Sequence, residues 1–542
     1  MRARPILVSL VILVTLGASL EVAKAQCAAL AIGAPHDAAG AADAGAVNVL
    51  YGTEAGLSSF GDQIWHQNVT GIGGGSEAGD QFGYGLASGD FDGNLHSDLI
   101  VGVPGEVLSS TASAGAVNVI YGFATGLAYT GSQMWTQDSG GIPSDGYDEE
   151  FFGFADATGD FDGDGFDDLA VGVWHDWYPV EVGIGWDWIK AGVVNVLYGS
   201  ADGLGSTGSQ MWSQRSSGIS DDIEEDDRFG FAVASGDFDG DGYADLAIGA
   251  PGEGWGSFGN IGQVHVLYGS AAGLSATGDQ LFRQDDLNDG VSLGGDYFGW
   301  SLAAGDFNHD GRDDLAVGAP YDSDRVDDAG CVHVLYGTAT GLITSNSQRW
   351  DQDSAGISSW AESGDRFAYS LATGDFDRDG YADLAIGVPD EDYATSEELV
   401  DAGLVQVIYG SASGLTSTGN LVLTQGTPGM AGEPGAGDEF GTSLAAGDFD
   451  CDNRVDLAIG VPGNPSGGNV DAGSVNVVYG SASGLTVTGS EEWTQNSSGV
   501  EGAPQAGDRF GERLAALPEL TWIFVDDFEG GDTTDWTSAH GD

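Results

Sequence analysis

Cysteine is nearly absent, with Cys27, Cys331 and Cys451 the three in 542 residues. They allow at most one internal disulfide, so no cystine framework holds this fold. Cationic side chains are scarce too: 15 Lys and Arg face 84 Asp and Glu, a formal charge of −69. A field of that sign repels nucleic acid. Beyond residue 20 no apolar run is long enough to span a bilayer, so no transmembrane anchor is expected. No stretch of a dozen residues has helical periodicity. Missing as well are a zinc-type HExxH, a nucleophile elbow and any Ser/His/Asp set separable from the repeats described below. The local signatures of a hydrolase are therefore lacking.

Glycine, by contrast, is in excess: 92 residues without a period of three, which excludes collagen and favours a turn-rich β protein. With 41% apolar and 10% aromatic residues the chain can build cores despite its charge. At the start, Arg2 and Arg4 precede the apolar run Ile6 to Leu20, and Ala23-Lys24-Ala25 supplies small residues before Gln26. This predicts a secretory signal peptide over 1–25 and a secreted or surface-associated product. Gln26 stands where a lipid-attachment signal wants a small residue, so Cys27 is expected to be an unmodified thiol.

Self-comparison finds a unit of about 70 residues. A Phe-Gly pair opens it at Phe82, Phe152, Phe229, Phe298, Phe440 and Phe510, with Phe367-Ala368 as the variant. GDFDGDGxxDLAIGAP or a relative follows, then a loop, a VNVLYG segment, and a turn leading to MWTQ or its equivalent. Each apolar piece is short, β-branched or alternating, and bounded by Gly, Asp, Asn or Ser, which is strand punctuation. Four strands per unit, seven times, predict an all-β, seven-bladed β-propeller of four-stranded blades over 26–517. The chain starts mid-unit with LAIGAP and finishes with the missing first strand, Phe510 to Ala516. Pairing the C-terminal strand with the N-terminal part-blade closes the ring and removes its exposed edges. Composition changes at 518–542, read as a partly ordered tail.

Between the first two strands lies Asp-x-Asp-x-Asp-Gly-x-x-Asp. Alternating carboxylates on a tight loop converge on one point, position seven adds a backbone carbonyl, and glycine at position six permits the turn. Three copies are intact: Asp160, Asp162, Asp164 and Asp168; Asp237, Asp239, Asp241 and Asp245; Asp375, Asp377, Asp379 and Asp383. Asp306, Asn308, Asp310 and Asp314 trade one charge for a neutral oxygen. Asp448, Asp450, Asp452 and Asp456 carry Asn453 at the glycine position, and Asp90, Asp92, Asn94 and Asp98 carry Leu95 there. The position-seven carbonyls belong to His96, Phe166, Tyr243, Arg312, Tyr381 and Arg454. Up to six Ca²⁺ are predicted, as scaffold and not as catalysts.

Phe-Gly followed by GDFDGDGYADLAIGAP, Gly236 to Pro251, resembles FG-GAP repeats, as in the propeller of integrin α-subunits. The resemblance covers residues 29 to 517. It implies a seven-bladed propeller with calcium loops on the lower face and ligand contacts on the upper face. The chain departs from integrins in carrying no inserted metal-dependent adhesion domain and no leg domains.

Strands alternate in direction, so the 2–3 and blade-to-blade loops share the upper face, where recognition residues concentrate. One loop brings Trp174, Trp177, Tyr178, Trp186 and Trp188, and its neighbour brings Trp255. Aromatics beside carboxylates suit a protein or glycan ligand, although the same residues can pack on one another to hold a long loop down. Residues 216–228 are acidic and suit a cationic ligand or a solvated face. The sequence thus predicts an adhesion or ligand-binding module. The alternatives are an extracellular polysaccharide hydrolase or lyase using upper-loop acids, or a structural matrix component.

Overall fold

The computed structural model describes residues 27–108, 113–144, 146–182, 185–254, 259–288, 290–394 and 398–518. The signal peptide and the tail beyond 518 lie outside the described residues, as does Trp255. Seven four-stranded antiparallel sheets form seven blades, and one short 3-10 turn, Gln284–Asp286, is the helical content among the described residues. Blade one is Leu86–Gly89, Asp98–Val103, Ala116–Phe123 and Gly126–Trp135. Blade two is Ala155–Gly159, Asp168–Val173, Val193–Tyr198 and Gly205–Trp212. Blades three to six repeat the order, with first strands Ala232–Gly236, Ser301–Gly305, Ser370–Gly374 and Leu444–Gly447. The first strands neighbour one another in a complete circuit about the axis.

Closure occurs as expected. Arg513–Leu517 supplies the first strand of blade seven and pairs with Ala29–Ala34, Ala29 opposite Leu517 and Gly33 opposite Arg513. Ala46–Thr53 and Gly56–Trp65 complete that blade.

Every second strand is buried over all six residues. A sheet covered on both faces has no solvated side, so its strands read as DLAIGV and not as an apolar–polar alternation. The glycine inside this strand has a steric reason. A Cβ on Gly102 would come within 1.9 Å of the Gly153 carbonyl oxygen, and one on Gly249 within 2.1 Å of that of Gly299. The glycine of each Phe-Gly pair therefore touches the second strand of the preceding blade. Phe-Gly and the DLAIG glycine are the two halves of one seam. The twelve largest fully buried side chains are all phenylalanines, six from Phe-Gly or Phe-Ala and six from position two of the Asp loops. The outer-strand tryptophans Trp135, Trp212, Trp350 and Trp493 pack against clusters that join adjacent blades.

One expectation fails. Cys27 is disulfide-bonded to Cys451, with Cα atoms 4.8 Å apart. Closure sets residue 28 of blade seven on the Asp loop of blade six, where the Ala28 N–H donates to the Asp448 carbonyl at 2.8 Å, and the two cysteines meet there. Cys331 remains a free, buried thiol.

Candidate functional site

On the lower face each Asp loop is organised by its own carboxylates. Asp160 accepts from the amides of Gly163 and Asp164 on Oδ1, at 2.7 and 3.0 Å, and from Gly165 on Oδ2 at 3.0 Å. Asp237 repeats this with Gly240, Asp241 and Gly242. At position seven the amides of Phe166, Tyr243, Tyr381, Arg454 and His96 donate to the position-five side chains. Arg312 instead sends its guanidinium to the Asp239 carbonyl of the preceding loop, 3.3 Å away. Position six is left-handed throughout: Gly165 at φ 90°, Gly242 at 92°, Asn453 at 61° and Leu95 at 70°.

Positions one, three and nine converge. One carboxylate oxygen from each of Asp90, Asp92 and Asp98 lies within 4.8 Å of the others, and likewise for Asp160, Asp162 and Asp168, and for Asp237, Asp239 and Asp245. Three hard oxygens at this spacing fit a divalent cation. The ninth aspartate has a second job that spacing does not reveal. Asp168 Oδ2 accepts from Phe161 N and Oδ1 from Gly199 N, both at 2.8 Å, and the pattern recurs at Asp98, Asp245, Asp314, Asp383 and Asp456. It clamps the loop to the turn after strand three, so its recurrence has a structural reason independent of any ion. Burial pushes Asp98, Asp168, Asp314, Asp383 and Asp456 up to about 8 and Asp245 to about 7. The weaker copies differ as their sequences suggest. The Asn308 amide leans on Asp314, and Arg454 pairs with Asp452 at 2.8 Å.

On the upper face the blade-two loop becomes a hairpin, Trp177–Val182 with Gly185–Lys190. Its aromatic residues do not form one platform. Trp177 donates to the Asp148 carbonyl at 2.9 Å and lies under the Lys190 ammonium, 4.6 Å from the ring centre. Tyr178 faces the Arg215 guanidinium at 5.3 Å. The Trp188 ring lies tilted against Tyr147, 5.5 Å between ring centres, and keeps 46% of its surface exposed. Trp174 turns inward to Phe154, Phe231 and His175. The side chain of Trp186 lies outside the described residues. Self-packing thus accounts for part of this aromatic run, while Trp188 keeps nearly half of its surface exposed.

Trp174 joins a feature that sequence reasoning missed. The residues after Phe-Gly form an aromatic collar about the axis: Tyr84 to Phe154 at 5.0 Å, Phe154 to Phe231 at 5.2 Å, Phe231 to Trp300 at 4.6 Å and Trp300 to Tyr369 at 5.8 Å. Arg513 continues the circuit over Tyr84 at 4.2 Å. One strand step below Phe154 stands Asp156, where the other blades have Leu86, Val233, Leu302, Leu371, Leu444 and Leu514. Neither of its carboxylate oxygens has a hydrogen-bond partner, and burial pushes it up to about 7.

A second missed feature is a ring of buried acids at the upper seams. Gln137 donates to Asp176 at 2.6 Å, Gln214 to Glu253 at 2.9 Å, Gln284 to Asp322 at 2.8 Å, Gln352 to Glu391 at 2.6 Å, Gln495 to Asp37 at 2.7 Å, and Gln67 to Glu106. Each acid is paired with one placed two residues before Phe-Gly, such as Asp80, Asp227 or Asp365. Burial and this pairing push Glu253 up to about 9 and Glu391 to about 8. The signal was the Trp-x-Gln recurrence of the outer strand, legible as a repeat but silent about its partner. The string Gly290 to Gly294 has GxSxG spacing, yet it lies in a blade-to-blade loop with no helix after it, so it makes no nucleophile elbow.

Five segments, residues 82–120, 229–267, 298–335, 367–408 and 440–478, match the FG-GAP repeat family. The chain carries FG-GAP repeats. The two units without a match are the one interrupted by the hairpin and the one split between the chain ends, and both fold as blades. The resemblance to the integrin α propeller holds in sequence: integrin alpha-PS2 of Drosophila melanogaster is 33% identical over 248 residues, 44% of this chain and 15% of that protein. Phosphatidylinositol-glycan-specific phospholipase D of Rattus norvegicus is 35% identical over 175 residues, 31% of this chain and 19% of that protein. The chain thus spans under a fifth of the length of each. Among solved structures, exotype rhamnogalacturonan lyase YesX aligns over 82% of this chain and 81% of its own, with 11% identity and a TM-score of 0.33. Among the described residues no helix is long and apolar enough to cross a membrane.

Proposed function

We propose that this chain is a secreted, calcium-stabilised FG-GAP propeller that binds a protein or glycan ligand through its upper face, as an adhesion or recognition module. The observation that carries the reading is the upper-face hairpin that presents Trp188 at 46% exposure, following directly on Trp174, which packs on the collar at Phe154. An exposed tryptophan on a hairpin pinned by Lys190, Arg215 and the Asp148 carbonyl loses little entropy on binding, which favours a recognition surface. The Asp loops of the lower face serve as scaffold. With Ca²⁺ bound, their like charges are neutralised and the turns between first and second strands are fixed. The Cys27–Cys451 disulfide supports export to an oxidising compartment.

The residues that would act in glycan turnover are the upper seam acids, and Glu106, Glu253 and Asp176 are buried behind their glutamines. Binding is the better-supported reading. Immobilised glycans and extracellular-matrix proteins probed with the protein and with Trp188→Ala test it: the substitution is expected to weaken binding at least tenfold without moving the melting temperature. Release of soluble products from the same glycans would replace this reading with the enzymatic one.

A further inference from the structure

The upper seams fall into two groups. At three of them a glutamate stands three residues before the seam acid: Glu77 before Asp80, Glu224 before Asp227 and Glu362 before Asp365. At those same three the facing loop residue is also glutamate, Glu106, Glu253 and Glu391. Elsewhere the first position is Tyr147, Leu293, Gly435 or Gln505, and the loop residue is Asp176, Asp322, Asn464 or Asp37. The extra carboxylate and the longer loop acid occur together.

Geometry gives the pairing a meaning. One carboxylate oxygen each of Glu77, Asp80 and Glu106 lies within 4.8 Å of the other two, and the same is true of Glu224, Asp227 and Glu253. In the first group Asp80 is 0% exposed. Its Oδ2 accepts from the Glu77 amide at 2.5 Å, whereas Oδ1 has no partner. Gln67 is 3% exposed, and its amide nitrogen donates to Glu106 while its Oε1 has no partner. The amides of Gln214 and Gln352 repeat this, each donating to the loop glutamate with an unpartnered Oε1; Gln137, Gln284 and Gln495 share the bare Oε1, so what sets these three seams apart is the third carboxylate beside it. Buried carboxylate and amide oxygens without donors are costly to leave bare. The seam of Asp322, which lacks the third acid, has a cation already: Arg349 lies 2.8 Å from Asp322.

We propose that these three upper seams are divalent-cation sites, with Glu77, Asp80, Glu106 and the Gln67 amide oxygen as ligands in the first and their counterparts in the other two. The donor set is all oxygen, which selects a hard ion. Calcium, which accepts carboxylate and side-chain carbonyl oxygens in flexible geometry, suits such a mixed donor set. The extra glutamate of each group, Glu77, Glu224 or Glu362, is exposed and gives the ion its way in from solvent. These sites lie on the face opposite the Asp loops and do not depend on whether those loops bind calcium.

The test counts ions on the full secreted chain by native mass spectrometry at saturating calcium. The triple variant Glu77→Gln/Glu224→Gln/Glu362→Gln changes exposed side chains only, and it is expected to carry three fewer ions than the parent protein. The variant Asp162→Asn/Asp239→Asn/Asp377→Asn reports separately on the lower loops. Equal counts for the parent and the upper-face variant would overturn the proposal, whatever the lower loops do. If the variant fails to fold, Tb³⁺-soaked crystals of the parent protein decide. An anomalous peak among Glu77, Asp80 and Glu106 is expected, and its absence at all three seams refutes the assignment.

Discussion

Cys27 and Cys451 are joined across 424 residues of sequence, and the bond ties the start of the closing blade to position four of an Asp loop in the blade before it. Strand pairing between Ala29–Ala34 and Arg513–Leu517 already closes the ring, so the disulfide is a second clasp on the same joint. Cross-linking so long a loop removes much denatured-state entropy, and the Cys27→Ser/Cys451→Ser variant is expected to lose about 2–5 kcal/mol. Chemical denaturation with and without reductant checks this. Hydrogen exchange should show the earliest loosening at Ala29–Ala34; uniform loosening around the ring would mean that the joint is no weaker than any other seam.

If the Asp loops hold calcium as proposed, its removal and pH act on the same groups. Burial raises Asp98, Asp168, Asp314, Asp383 and Asp456 to about 8 in the folded chain, against an ordinary 3.8. The folded state therefore holds more protons than the unfolded one between these values. That stability is fully present below pH 4 and is lost as pH rises through 8. In chelator the melting temperature is expected to fall by about 5 °C or more from pH 5 to pH 8. On the proposed reading calcium takes the place of the protons, and each loop occupied at ~1 mM is expected to add about 0.4–1.4 kcal/mol. Calorimetry at both pH values, with chelator and with calcium, gives the comparison. A chelated protein whose melting is flat over this range would show that these aspartates do not titrate as buried groups.

Leu95 sits at φ 70°, where the intact loops have glycine. A side chain in this region costs roughly 1–2 kcal/mol, so Leu95→Gly is expected to stabilise the chain by about 1 kcal/mol. It should also raise the calcium affinity of the Asp90 loop several-fold. Isothermal titration of the two proteins decides the second point, and an unchanged affinity would place the weakness of that loop at Asn94 instead.

What the sequence disclosed followed from repetition. Six Phe-Gly starts, a seventh with Phe367-Ala368, and six Asp loops recur at fixed order, so blade number, strand count and closure were all readable from Phe82 to Phe510. Contacts between blades were not. The collar of Tyr84, Phe154, Phe231, Trp300 and Tyr369 is assembled from residues about 70 apart that vary in type. The Gln67–Glu106 bond joins an outer strand to a loop of the following blade. The Cys27–Cys451 pairing was hidden for the same reason, because only closure makes those two residues neighbours. Within the lower loops, spacing identified the convergent carboxylates but not that Asp168 also clamps Phe161 and Gly199.

Asp156 offers the sharpest break in the repeat. The six equivalent residues are leucine or valine, and the Asp156 carboxylate lies against Gly85 with no hydrogen-bond partner. A buried carboxylate without a partner is less stable than an apolar side chain of similar size. Asp156→Leu is therefore expected to raise stability by about 1–3 kcal/mol at pH 8. Because burial raises Asp156 to about 7 from an ordinary 3.8, its protonated form predominates below that pH, and the gain from leucine should shrink as pH falls toward 5. Denaturant melts of the two proteins at pH 5 and pH 8 measure both effects. If leucine destabilises the chain at both values, the seam between Gly85 and blade two is shaped for a carboxylate, and the unpartnered oxygens of Asp156 do not govern its stability.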